Sequence, residues 1–202
     1  MSGRVRLEGP APAAGFLPVL KNADVCGERV PDESLVVAAD GGVRGVVVEL
    51  LGVSSGKPLL EATAVLDNQR CAFVPRVQVL AIGQSLEIRN SDPILHDAHA
   101  WLGSRTIFNL GLPEWRRVEH VFEVPGMHAV DCNVLHTWMK AWIFVAEHPY
   151  VTVTDPGGRF VLDDVPAGTY HLRFWHEELG EKTVPVSVTA DGEAVVDTAF
   201  RR

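Results

Sequence analysis

The chain has no run of about 18 apolar residues, the length a membrane-crossing helix needs, so no membrane span is expected. Basic charge is in short supply. Lys and Arg number 18 against 26 Asp and Glu, a formal net charge of −8. That balance argues against nucleic acid, which calls for a basic face. Helix signals are poor, because Pro and Gly recur and no long segment keeps an apolar period of 3.6 residues. Phosphate-loop, nucleophile-elbow and zinc-finger spacings are missing. The opening MSGRVRLEGPAPAAG lacks the charged-then-apolar pattern of a secretory signal. Residence in the cytoplasm, or export with the signal already removed, are both open on that ground. The 202 residues allow one large or two small domains, each with its own core.

What the chain does have is β pattern. VRGVVVELLG (43–52) is rich in β-branched residues. RVQVLAIG and QSLEIRN (76–90) read as two strands joined at Gly83–Gln84, with Leu86 and Ile88 alternating with polar neighbours. RVEHVFEV, MHAVDC and KAWIFVA follow as further strands. The segment 91–113 reads as a long functional loop with local helical turns. A second rhythm begins near EHPYVTV. Pro-Gly-Gly, Pro-Ala-Gly and Asp191–Gly192 mark turns between about five short strands, the spacing of a small β-sandwich. The boundary is placed near Ala146–His148, and the first forty residues could lie against either domain.

The chemistry concentrates in DCNVLHTWMKAW, residues 131–142, where Cys132, His136 and Met139 fall within eight positions. A thiolate, an imidazole and a thioether form the donor set that suits copper. A catalytic Cys–His pair is usually distant in sequence and has no need of the methionine. A mononuclear centre of this kind takes a second imidazole from elsewhere. His96, just after the strand SLEIR and an Asn-Ser-Asp-Pro turn, supplies it. The expected ligand set is therefore His96, Cys132, His136 and Met139, holding one copper ion. The plainer readings are a buried cysteine at a strand end and a methionine filling core. His99 would join the metal if its segment turned helically, and otherwise supports the site or lies at the surface. His120 and His128 read as packing or surface residues. In FWHEELGEK, His176, Glu177 and Glu178 read as solvated charges at a strand end rather than a site. Cys26 and Cys71 remain, either as a disulfide, which would imply an oxidising compartment, or as two buried thiols.

RNSDPILHDAH followed downstream by CNVLHTWM resembles the cupredoxin family of small copper β-sandwiches. The whole chain resembles bacterial plastocyanin-like proteins that carry a carboxypeptidase-regulatory-like (transthyretin-like) domain, some of them labelled methylamine utilisation proteins. VCGERVPDESLVV, LDNQRCAFVPRVQVLAIGQ and the run from HTWMKAWIFVAEHPY to RFWHEELG carry that likeness. The resemblance implies an all-β chain: a cupredoxin-like Greek-key β-sandwich over 1–146, then a small transthyretin-like β-sandwich over 147–202. It implies copper binding and electron transfer rather than enzyme catalysis, with a redox protein such as a cytochrome c as partner, His136 near the surface as the electron exit, and Trp101 and Trp138 as docking rim or packing. It also implies a Cys26–Cys71 disulfide, and hence a periplasmic or extracellular home. A copper-handling protein without a redox partner, a small copper redox enzyme with an open position, and a purely structural sandwich pair are the alternatives.

Two departures stand out. Relatives often read PHV where this chain has PRV, so Arg76 occupies a position where a histidine is expected. The Cys-x3-His-x2-Met spacing is longer than the common Cys-x2-His. It matches half of the binuclear copper loop of cytochrome oxidase subunit II, but the second thiolate's position is His128 here. One copper in a distorted or red site, rather than a plain blue one, is the expectation.

Overall fold

The computed structural model describes residues 1–53, 56–59, 63–190 and 193–202. It is almost entirely β. In chain order the elements are β1 (Ser2–Glu8), β2 (Phe16–Pro18), the one-turn helix α1 (Ala23–Cys26), β3 (Arg29–Pro31), β4 (Val47–Leu51), β5 (Ala64–Gln69), β6 (Ala72–Val74), β7 (Val77–Ala81), β8 (Ser85–Asn90), β9 (His96–Leu102), β10 (Arg105–Leu112), β11 (Arg117–Val121), β12 (Gly126–Asp131), β13 (Lys140–Ala146), β14 (Val151–Val153), β15 (Arg159–Val161), β16 (Gly168–His176), β17 (Gly180–Val188) and β18 (Thr198–Arg201).

These elements form two compact units, each threaded by the chain more than once. The first contains Met1–Ala14, Glu33–Leu59 and His148–Arg202; the second contains Gly15–Asp32 and Leu60–Glu147. A single cut near residue 147 is therefore not the division the structure makes. The reason is strand pairing between distant segments. β4 is flanked by β14 and β16, so the strand expected in the first domain belongs to the C-terminal sheet. β1 pairs parallel with β18 and antiparallel with β15. Residues 15–32, by contrast, form the β2–β3 hairpin and α1 in the second unit.

In the first unit the sheets β15-β1-β18 and β14-β4-β16-β17 enclose a core that includes Val5, Val48, Leu50, Leu172, Phe174 and Phe200. The Pro-Gly-Gly turn leads into β15 as the sequence implies; the Asp191–Gly192 turn lies outside the described residues.

In the second unit a five-stranded sheet, β10-β9-β12-β13-β7, faces a four-stranded one, β11-β8-β5-β6. Their inward faces share one core. Leu66, Leu86 and Ile88 come from the smaller sheet, and Leu80, Ala98, Val130 and Ile143 from the larger. β8 shows the alternation that the sequence predicts, with Leu86, Ile88 and Asn90 buried between partly exposed neighbours. Residues 91–113 are not a loop. β9 and β10 pair in antiparallel register from Leu112↔His96 to Arg105↔Leu102, and form the edge of the larger sheet. Alanine and histidine in HDAHAWL mask the strand, because neither is a strong β-former. The sandwich brings the start of β9 beside the end of β12, and those two strand ends carry the site.

Candidate metal centre

Cys132 follows β12 directly. His128, Val130 and Cys132 are buried at alternate positions and so share the inward face of that strand. Past Cys132 the chain turns through Leu135, whose φ of 71° is left-handed and whose side chain is exposed. That turn carries His136 back toward Cys132. Met139 N–H donates to His136 O at 2.9 Å and closes the loop. On the other strand end, the Asn90–Asp92 turn is fixed from inside. Asn90 Nδ2 donates to the carbonyls of Ile94 (2.7 Å) and Leu112 (2.8 Å), and Asn90 Oδ1 accepts the Asp92 N–H at 2.9 Å. His96 is then delivered as the first residue of β9.

Three donor atoms converge. His96 Nδ1 lies 3.0 Å from His136 Nδ1, and Cys132 Sγ lies 3.7 Å from His136 Nδ1. Both histidines are fully buried, and Cys132 is the single free cysteine. Met139 is also buried and packs in the same core cluster as Cys132. Of the four residues expected as ligands, the structure brings His96, Cys132 and His136 together as one group and seats Met139 within the core beside their loop.

The outer nitrogens are occupied. His96 Nε2 is 2.9 Å from Asp92 Oδ2, and His136 Nε2 is 3.0 Å from Asn22 Oδ1. Both oxygens are acceptors, so each ring carries its proton on Nε2 and presents a lone pair at Nδ1. Two buried ring nitrogens that face each other at 3.0 Å share either a proton or a cation between them. Imidazole nitrogens on one zinc-like ion sit about 2.0–2.1 Å from it, which places two of them about 3 Å apart. The donor chemistry and the spacing therefore fit a soft-to-borderline transition metal.

Electrostatics agree. Burial, together with the neighbouring His96 and Lys21, pushes His136 down to about 4, so its ring is neutral and available near pH 7. Burial raises the Cys132 thiol, against the pull of the Asp97 N–H, which donates to Sγ at 3.3 Å. Burial also acts on Asp92. There it is outweighed by hydrogen bonds from His96 and from the Cys71 and Arg70 N–H groups, which hold the carboxyl below its ordinary range.

His99 is not in this group. On a strand, His96 and His99 point to opposite faces, and the helical turn that would unite them does not form. Its Nδ1 accepts from Asn133 Nδ2, its Nε2 meets Thr106 Oγ1 at 3.0 Å, and its ring lies 3.7 Å from that of Trp101. Trp138 is no docking rim either. It is buried, and its Nε1–H donates to Cys71 O at 2.9 Å. His136 does not reach the surface as expected, since Asn22 covers its outer nitrogen. His128 is a packing residue, with Nε2 donating to Val124 O at 2.9 Å and its ring against Phe122. Cys26 and Cys71 form a disulfide. Sequence reading missed Asp92, Asp97, Asn133 and Asn22. Asp92, four residues before His96 in a quoted turn, had a local signal; Asn22 had none.

A family profile described as polysaccharide lyase family 4, domain II, matches residues 133–196, a stretch that begins inside the metal loop and continues into the first unit. No curated protein matches in sequence. Three solved structures are similar to part of the chain. The copper-containing nitrite reductase of Thermus scotoductus SA-01 is 23% identical, with 50% of this chain covered and a TM-score of 0.40. This chain spans 26% of that protein's length. A purple cupredoxin from Nitrosopumilus maritimus is 23% identical over 42% of this chain and 99% of its own, with a TM-score of 0.36. Amicyanin from Paracoccus versutus is 13% identical over 49% of this chain and 97% of its own, with a TM-score of 0.38. The second unit, with its five- and four-stranded sheets about one core, is a β-sandwich. The site is defined by its own geometry.

Proposed function

We propose that the chain is a mononuclear copper protein that carries electrons, with His96, Cys132, His136 and Met139 as ligands. The observation that carries this reading is the convergence of two Nδ1 lone pairs and a thiol in a buried pocket whose outer nitrogens are already taken. Bound there, copper would supply a one-electron couple. The chain's part is to hold both rings in one tautomer, keep the thiolate dry and exclude water. Such a fixed, buried donor set limits rearrangement between oxidation states, which favours a carrier over an enzyme with an open position. Met139 would offer a thioether that tunes the ion more than it holds it.

Exposed Leu95 and Leu135 immediately precede His96 and His136. They offer apolar ground for a redox protein partner such as a cytochrome c. A periplasmic or extracellular home belongs to this reading, supported by the Cys26–Cys71 disulfide, which persists in an oxidising compartment. The first unit is read as a carboxypeptidase-regulatory-like domain, and the whole as the kind of protein sometimes labelled for methylamine utilisation. Titrating the metal-free protein with copper(II) tests the central reading. One equivalent should bind and produce an intense thiolate-to-copper absorption with a matching EPR signal. A colourless complex, or binding only beyond one equivalent, contradicts it.

A further inference from the structure

The outer partners of both histidines are tied to one covalent bond. Arg70 and Cys71 form the two-residue turn between β5 and β6, where Gln69 pairs with Ala72. Both have left-handed backbones, with φ of 54° and 56°. Such a turn normally takes Asn-Gly or a close substitute, and here it holds an arginine and a cysteine, neither of which favours a left-handed backbone. What steadies it is Asp92. The Arg70 N–H donates to Oδ1 and the Cys71 N–H to Oδ2, each at 2.7 Å. The same Oδ2 receives His96 Nε2–H. Asp92 is thus a buried carboxylate with both oxygens engaged, joining the strained turn to the imidazole.

On the other side, Asn22 caps α1 in a left-handed conformation with φ of 59°. Its carbonyl accepts the N–H groups of Val25 and Cys26 at 3.0 and 2.8 Å, while its side-chain oxygen receives His136 Nε2–H. Cys26 ends that helix and is bonded to Cys71. The path runs from His96 through Asp92 to Cys71, across the disulfide to Cys26, and through Asn22 to His136.

Resting on the copper reading, we propose that Asp92 and Asn22 are positioning residues for the two imidazole ligands, and that the Cys26–Cys71 disulfide fastens them as one clamp. They do different things. Asp92 carries charge, so its hydrogen bond raises the donor strength of His96 and favours the copper(II) state. Asn22 is neutral; it fixes the plane of His136 and closes that ring from solvent. The disulfide holds residues 15–32 against the site, because the β2–β3 hairpin has little core of its own.

The test compares the full-length wild type with Asp92→Asn, Asn22→Ala and the double variant Cys26→Ser/Cys71→Ser. It measures copper(II) affinity, the visible spectrum and the reduction potential, with melting of each metal-free form as a folding control. Asp92→Asn keeps the shape and an acceptor oxygen but loses the charge. It should weaken copper(II) by about 10- to 100-fold and raise the reduction potential, a shift that a merely structural role would not cause. Asn22→Ala should weaken copper(II) and alter the spectrum with a smaller change in potential. The double serine variant should reproduce the affinity loss although no ligand is touched. Unchanged affinity, spectrum and potential in folded Asp92→Asn and Asn22→Ala overturn the inference. If Asp92→Asn does not fold, Asn22→Ala and the double serine variant decide it by the same criterion. A wild type that binds no copper overturns the metal reading, and this inference falls with it. A wild type that binds copper beside indifferent variants overturns this inference alone.

Discussion

The two units are built from the same material, twisted β-sheets about an apolar core, yet they treat buried polar groups differently. In the first unit such groups neutralise one another. Glu49 on β4 meets Arg173 on β16 at 2.5 Å and His148 at 3.5 Å. Thr154 accepts the Val46 N–H and donates to Val43 O, at 2.9 and 2.7 Å. In the second unit His96 and His136 bond Asp92 and Asn22 through their outer nitrogens and turn their inner nitrogens on each other and on Cys132. Among the described residues, both groups of three or more potential metal ligands lie there. Three metal-binding donor atoms turned on one another in a buried space are what the proposed copper would join. A closed polar network marks architecture, and one left open on the same side by several residues marks a site.

Severing the disulfide gives the largest stability effect. Cys26 and Cys71 are 45 positions apart, and removing such a crosslink costs about 2–4 kcal/mol. Chemical denaturation of Cys26→Ser/Cys71→Ser should show that loss. In the first unit, Glu49→Gln should cost about 1–2 kcal/mol, because Arg173 is partly exposed and water compensates it. It should leave the copper spectrum untouched. A spectral change there would break the contrast between the units.

Acid should separate the two treatments of buried histidine. His136 is held down to about 4, chiefly by burial, and His120 and His128 are lowered by burial as well. For groups whose folded value is depressed, the unfolded chain takes up protons first as pH falls. The metal-free protein should therefore be fully stable above about 6.5 and lose stability progressively as pH drops through about 4. Denaturant midpoints across that range check it, and a flat profile contradicts it. Met139→Leu gives the smallest stability change, since the two side chains are close in volume. It should keep copper bound but raise the reduction potential and change the spectrum. If both stay the same, Met139 is core filling only.

Much of the candidate site was legible in the sequence because its potential donors are chemically rare and closely spaced. Cys132, His136 and Met139 declare themselves within one loop, and the strand-ending turn points to His96. A strand with strict alternation, such as β8, was legible for a similar reason: its pattern is local. What local pattern does not carry is long-range pairing. The parallel match of β1 with β18, and the insertion of β4 between β14 and β16, decide the two units; neither leaves a mark in the residues themselves. The same holds for Asn22, which reaches His136 across 114 positions. The β9–β10 hairpin was hidden by its composition, and with it the reason that His99 faces away from the metal group.

The most direct test of the central claim is the visible and EPR spectrum of copper(II)-loaded wild type beside Cys132→Ser. The account predicts an intense thiolate-to-copper band at one copper per chain that vanishes in the serine variant. A wild type without that band, or a serine variant with an unchanged spectrum, would contradict it.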